Sequence, residues 1–124
     1  MTTLGVVWTP PKASFNGKHN KVKAKVLITL YLRTLENINT GLSARELAEL
    51  SGEKLISITG KLSAWTRWGL VRQRPGRIGT KCMAVYSLGK KGNHYVIYVI
   101  PPEIYSKYLN EIREHQRRMI NGLH

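Results

Sequence analysis

The side chains in this sequence that could do chemistry are mainly basic or hydroxylic, and many of them lie between residues 54 and 95. That segment has nine Lys and Arg residues and no acidic residue. Ammonium, guanidinium and hydroxyl groups donate hydrogen bonds to anionic oxygens, above all to those of phosphate. The pattern therefore favours binding of a polyanion over chemistry on a small substrate. The candidate residues are Lys54, Ser57, Thr59, Gly60, Lys61, Ser63 and Arg67 on a predicted helix, and Arg72, Arg74, Arg77 and Lys81 on a predicted hairpin.

The charge of the whole chain agrees with this pattern. Its 124 residues include 20 Lys and Arg against seven acidic residues, and the net charge at pH 7 is +13. Such an excess attracts nucleic acid or an anionic membrane. No run approaches the roughly 18 apolar residues typical of a transmembrane helix. We therefore expect a nucleic-acid partner and no membrane.

Groups typical of an enzyme are not evident in the sequence. The chain has no Asp, and its seven Glu are scattered, whereas metal-dependent nucleases usually need clustered carboxylates. The four His and the single Cys lack metal-ligand spacing. The Gly76–Gly79 segment lacks the rest of a phosphate-binding fingerprint. We predict no catalytic residue, no metal, no cofactor and no small-molecule ligand, and hence no enzyme.

Two features bear on the compartment. The first lysine is Lys12, and no charged start leads into an apolar stretch, so no signal peptide is expected. Cys82 has no second cysteine with which to form an internal disulfide, as is usual in a reducing compartment. We expect Cys82 to be a small buried residue, with redox sensing as the alternative. The predicted location is the cytoplasm, in association with the nucleoid.

The N-terminal part is predicted to be an arm followed by a helix. Residues 1–19 form the arm, because Pro10 and Pro11 interrupt regular helix. A helix follows from Asn20, its predicted N-cap, to about Asn37, with apolar residues recurring on one face. A loop covers residues 37–41. Three basic residues, Lys21, Lys23 and Lys25, lie at the beginning of this helix.

Two further helices are predicted around a tight turn. Ser43 and Glu46 have the spacing of a capping box, which predicts a short helix over residues 44–50. Gly52 tolerates the left-handed backbone that ends such a helix. The next helix is predicted over residues 55–68 and carries one apolar stripe that should be buried. The stripe consists of Leu55, Ile58, Leu62 and Trp65.

After Gly69 the pattern changes to that of strands. We predict strands over residues 70–74 and 81–88, joined by a turn over 75–80. A second turn is predicted over residues 89–93. Residues 95–100 have high β propensity and are predicted as a third strand, with a buried helix as the alternative.

The stretch from Leu42 to Val71, LSARELAELSGEKLISITGKLSAWTRWGLV, resembles the winged helix-turn-helix of transcriptional regulators. In that superfamily, a helix reading like Ser-Ala-Arg-Glu-Leu-Ala precedes a turn with a Gly, a recognition helix and a closing Gly-Leu-Val. VYSLGKKG, residues 85–92, is similar to the end of the wing in MarR- and PadR-like families. The resemblance covers about residues 20–92. It implies an α+β fold, with a winged helix-turn-helix domain over 20–100 made of a three-helix core and a β-hairpin wing.

The resemblance also implies double-stranded DNA as the partner. Helix 55–68 would enter the major groove, which requires an outer face without bulk or negative charge. Gly60 would allow close approach of the backbone, or would relieve crowding between helices inside the protein. Arg77, near the hairpin tip, would contact phosphate or the minor groove; the alternative is a solvated basic hairpin. Further backbone contacts are expected from Lys21, Lys23, Lys25 and Arg45.

A C-terminal helix is predicted over residues 101–124, with Pro102 suited to its first turn. It has a stripe too apolar for an isolated surface helix. It packs either on its own domain or, in the favoured interpretation, on the same helix of a second chain in a homodimer. The predicted interface consists of Ile104, Tyr105, Tyr108, Leu109, Ile112 and Met119.

The main functional prediction is a dimeric transcriptional regulator that binds specific double-stranded DNA. The first alternative is a nucleoid-architectural protein, or a plasmid or viral partition protein, with low sequence specificity. The second is an RNA-binding or ribosome-associated winged-helix module. A nuclease or recombinase is the least favoured, because no catalytic group was found.

Overall fold

The computed structural model describes residues 17–36, 41–78 and 80–122 of the chain. This part is α+β, with helices and one two-stranded antiparallel sheet. The predicted arm up to residue 16 and most of the predicted loop at 37–41 lie outside the described residues. The elements are α1 (Lys18–Leu35), α2 (Ala44–Ser51), α3 (Leu55–Arg67), β1 (Val71–Ile78), β2 (Lys81–Leu88), α4 (Lys90–His94), a π-helix (Tyr95–Val99) and α5 (Pro102–Gly122).

Helix α1 lies at the centre of the core. It begins at Lys18, so the prediction that Asn20 is its N-cap is wrong; Gly17 occupies that position without a side-chain hydrogen bond. The middle of the helix is buried without interruption from residue 24 to residue 30. A helix buried nearly all round is packed against other elements on several sides. Its neighbours are α2, α4, α5, β2 and the π-helix.

Helices α2 and α3 are positioned by local hydrogen bonds and by one glycine. Ser43 Oγ accepts from the Glu46 backbone N–H, and a Glu46 carboxylate oxygen accepts from the Ser43 N–H, which confirms the capping box. Gly52 ends α2 with φ +78° and ψ 16°, the left-handed conformation that glycine adopts at low cost. The short turn then lets α3 begin at Leu55.

The apolar stripe of α3 is buried except at its first residue. Ile58, Leu62 and Trp65 are at most 3% exposed, and they attach the helix to the core. Leu55 is 37% exposed, so the prediction that it belongs to the buried stripe is wrong. The reason is its place in the first turn, at the rim of a surface groove rather than over the core.

The hairpin is longer than its sequence suggests. β1 and β2 pair from Val71 opposite Leu88 to Ile78 opposite Lys81. The predicted turn over 75–80 is therefore wrong, since Pro75 and Gly76 lie inside β1. Proline is tolerated here because β1 is an edge strand. On the other edge, β2 exchanges two backbone hydrogen bonds with Leu42 through Tyr86, at 2.9 and 2.7 Å.

Residues 90–99 are helical, so the turn predicted at 89–93 and the third strand predicted at 95–100 are both wrong. The chain forms α4 and then the π-helix. Val96 and Ile100 are buried at a spacing of four, while Ile97 and Tyr98 are exposed, a pattern that suits a helix. Since β2 already pairs with β1 and Leu42, packing against the core decides the conformation rather than β propensity.

Helix α5 begins at Pro102, as the sequence predicted, and packs on the same chain. Tyr108 and Ile112 are 1% and 0% exposed and belong to the core. His115 Nε2 and Gln116 Nε2 donate to the carbonyl oxygens of Glu49 and Leu50, at 2.8 and 3.1 Å. These bonds satisfy carbonyl groups in the last turn of α2.

Candidate nucleic-acid interface

The outer face of α3 is exposed, and the whole helix has no carboxylate. Thr59, Gly60, Ser63 and Arg67 are all exposed, and they lie opposite the buried stripe. At about 100° per residue these positions fall within an arc of about 100°, which we call the outermost line of the helix surface. The line also includes Ile56, which is 80% exposed and which our sequence analysis had not included. Placing the residues of α3 on a helical wheel would have put Ile56 on this face.

Ser57 and Lys61, also predicted on the outer face, are half-buried to one side of that line. Together with Lys18 of α1 they line a recess of about 280 Å³ between α1 and α3. Burial and the positive charge of Lys61 lower the pKa of Lys23. Lysines of α1 and α3 therefore approach each other here and form a positively charged rim. Lys54, at the N-cap of α3, is exposed and makes no capping hydrogen bond with its side chain.

The hairpin presents its four predicted basic residues to solvent. Arg72, Arg74, Arg77 and Lys81 are all exposed. Pleating and register place Arg72, Arg74 and Lys81 on one face and Arg77 on the other. Near the tip, Arg77 stands opposite Cys82. Cys82 is exposed, so the prediction of a buried thiol is wrong.

A groove of about 600 Å³ lies between α3, the start of α2 and β2. It brings Arg45 of α2, Thr59 of α3 and Lys81 of β2 to one concave surface. Two carboxylates, those of Glu46 and Glu49, line the same surface. Because the Glu46 carboxylate accepts from the Ser43 N–H, it has a structural role in the capping box. The groove joins the exposed faces of α3 and the hairpin into one surface.

The lysines at the start of α1 contact other residues of the same chain. Lys25 is 6% exposed, and its Nζ lies 3.3 Å from Glu53 Oε1, so the prediction that it contacts DNA is wrong. Lys21 Nζ lies 3.4 Å from Glu111 Oε1. Lys23 Nζ lies 5.0 Å from the centre of the Tyr95 ring. Of the predicted additional backbone contacts, Arg45 is exposed, Lys21 and Lys23 are half-buried, and Lys25 is buried.

The apolar stripe of α5 packs within the same chain. Ile104, Tyr105 and Leu109 are partly buried against the core that contains Tyr108 and Ile112. The assignment of Tyr108 and Ile112 to a dimer interface is therefore wrong, because their side chains are already covered. Met119 is half-buried near the end of the helix.

None of the helices within the described ranges is both long and apolar enough to span a membrane. Among the same residues, no three His, Cys or Glu side chains converge in a way that could hold a metal ion. Burial, with a further contribution from Tyr108, raises the pKa of Tyr95 to about 12.

No protein-family model, no curated protein and no solved structure matches this chain significantly. Its class therefore has to be inferred from the arrangement of its own residues.

Proposed function

We propose that the protein is a winged helix-turn-helix module that binds double-stranded DNA. In this proposal α3 enters the major groove, and the β1–β2 hairpin is the wing that lies on the backbone or in the minor groove. The observation that carries the proposal is the outer face of α3: it is exposed, free of carboxylate and opposite the stripe that attaches the helix to the core. A helix must have such a face to enter a groove lined with phosphates.

The connectivity supports the proposal. The capping box of α2, the left-handed Gly52 and the immediate start of α3 make a helix-turn-helix. The hairpin follows α3 directly, and the Leu42–Tyr86 bridge ties the segment before α2 to β2. Helix and hairpin therefore have a fixed relative position, which two adjacent contacts on one duplex require.

The charges support the proposal as well. The exposed basic residues of α3 and of the hairpin come from the 42-residue segment without an acid, residues 54–95. The nearest acidic side chains in the groove are Glu46 and Glu49, which belong to α2. A duplex lying across α3 and the hairpin would thus meet mainly cations.

The salt dependence of binding tests this proposal. If one chain neutralises about 3–5 phosphates, a plot of log affinity against log salt concentration should have a slope of about −3 to −4.5 on duplex DNA. Fluorescence anisotropy with a labelled duplex gives the slope, and unlabelled RNA of the same sequence serves as competitor. A slope near zero, or displacement by RNA at lower concentration than by DNA, contradicts the proposal.

We further propose that the DNA binding is sequence-specific and serves transcriptional regulation. Hydroxyl groups of Thr59 and Ser63 on the outermost line of α3 can bond to base edges, whereas the hairpin presents chiefly cations suited to phosphate. Selection of bound duplexes from a random pool at physiological salt tests this. If the selection enriches no sequence, an architectural role with low sequence specificity replaces transcriptional regulation as the proposal.

A further inference from the structure

Ile56 is a strongly exposed apolar side chain on the outer face of α3. At 80% it has the highest exposure of the large apolar side chains in the described part of the chain. It lies in the first turn of α3, whereas Ile58, two residues later, is fully buried and anchors the helix. A single exposed apolar side chain needs no explanation by itself. What distinguishes Ile56 is its position on the carboxylate-free outer face of α3, beside a recess that Lys18 and Lys61 also line.

Gly60 lies next to Ile56 on the helix surface, four residues later. A Cβ added at Gly60 would meet nothing within 4 Å, so crowding inside the protein does not explain this glycine. Glycine in a helix interior destabilises the helix relative to alanine, so its presence here needs another reason. The result is an apolar side chain beside a notch in the helix surface. Lys18 and Lys61 line the same recess as these two residues.

The surrounding charge and the apolar side chain together restrict the partner group. The lysines favour a polyanion, and the apolar side chain needs an apolar group within that polyanion. On the major-groove edges of base pairs, the apolar group is the 5-methyl of thymine. RNA lacks this methyl group, because uracil replaces thymine.

We propose that Ile56 determines sequence preference by packing against a thymine 5-methyl group, and that Gly60 lets α3 approach the base edges closely enough for this contact. The inference rests on the proposed DNA binding by α3. It goes further by naming the base, thymine, the group on that base, the 5-methyl, and the residue that contacts it, Ile56. It also gives a physical reason for discrimination between DNA and RNA at this position.

Deoxyuridine substitution tests the contact, since it removes only the methyl group. The duplex enriched by selection is resynthesised with deoxyuridine in place of thymidine, one position at a time. For the wild-type chain we expect Kd to rise about fourfold at one or two positions, which corresponds to about 0.8 kcal/mol for one buried methyl group. Ile56→Ala should bind the thymidine duplex about as weakly as the wild type binds the deoxyuridine duplex, and should no longer distinguish the two.

Ile120→Ala is the matched control. Ile120 is 62% exposed and lies near the end of α5, so the same chemical change should leave Kd and the deoxyuridine effect as in the wild type. The inference is overturned if no deoxyuridine position weakens wild-type binding, if Ile56→Ala keeps the deoxyuridine effect, or if selection enriches no sequence. In each of those cases binding to duplex DNA still stands. Loss of all duplex binding by the wild type would instead refute the proposed function.

Discussion

Replacing Gly60 by alanine should change folding stability and DNA binding in opposite directions. The residue lies inside α3, and a Cβ there would meet nothing within 4 Å. Alanine would therefore add helix propensity and reduce the conformational freedom of the unfolded chain without a steric cost. We expect the free energy of unfolding to rise by about 1 kcal/mol. For a chain of this size, Tm should rise by about 4 °C.

The same methyl group should weaken binding to DNA. It would stand on the outermost line of α3, in the notch beside Ile56, where the proposed interface requires close approach of the helix. Forcing one extra methyl group into a close-packed contact costs about 1–2 kcal/mol. That corresponds to a rise in Kd by a factor of about 5–30.

Thermal unfolding followed by circular dichroism measures the first effect, and fluorescence anisotropy on the selected duplex measures the second. Gly122→Ala is the control: a Cβ there also meets nothing within 4 Å, but Gly122 is the last residue of α5. It should change neither Kd nor, by more than a few tenths of a kcal/mol, stability, because helix ends depend little on propensity. A more stable Gly60→Ala protein with unchanged Kd would refute the placement of this face against DNA.

Further changes test the hairpin, the outer face of α3, the buried ion pair and helix α5 separately. Arg77→Ala should weaken binding by a similar factor on selected and scrambled duplexes, because hairpin contacts are chiefly to the backbone. Thr59→Ala should cost about 1–3 kcal/mol of binding free energy on the selected duplex alone. Fluorescence anisotropy measures both, and an equal loss on the two duplexes for Thr59→Ala would mean that α3 does not distinguish sequences. Lys25→Met should lower the free energy of unfolding, measured in urea melts, by about 3 kcal/mol, because it leaves Glu53 unpaired in a largely buried site. Adding Glu53→Leu should restore much of that loss. If Lys25→Met alone is as stable as the wild type, the ion pair does not stabilise the fold. Truncation after Pro102 should unfold the chain, since α5 completes the core. A cooperative thermal transition in the shortened chain would contradict that. Light scattering on the full-length chain separately tests the homodimer predicted from the sequence, and a monomer mass would contradict it.

Local chemistry in the sequence was sufficient to place several elements. The Ser43–Glu46 pair and Gly52 located both ends of α2, because capping bonds and a left-handed glycine depend on residues close together in the chain. Pro102 located the start of α5 for the same reason, since its ring suits the first turn of a helix. The periodicity of Ile58, Leu62 and Trp65 identified α3 and which of its faces is buried. The position of the exposed outer face followed from that period, although Ser57 and Lys61 lie to one side of it and Ile56 had not been included.

Tertiary structure decided the features that depend on residues far apart in sequence. Residues 95–99 have strand-like composition, yet they form a π-helix in which Val96 packs in the core, while β2 pairs with β1 on one edge and with Leu42 at Tyr86 on the other. Lys25 resembles any other lysine in the sequence, and only folding brings it to Glu53. The stripe of α5 predicts burial but not against which chain, and packing on α1 and α2 resolves this for Tyr108. Hydrophobic periodicity specifies which face of an element is buried; the contacts made in three dimensions specify what covers that face.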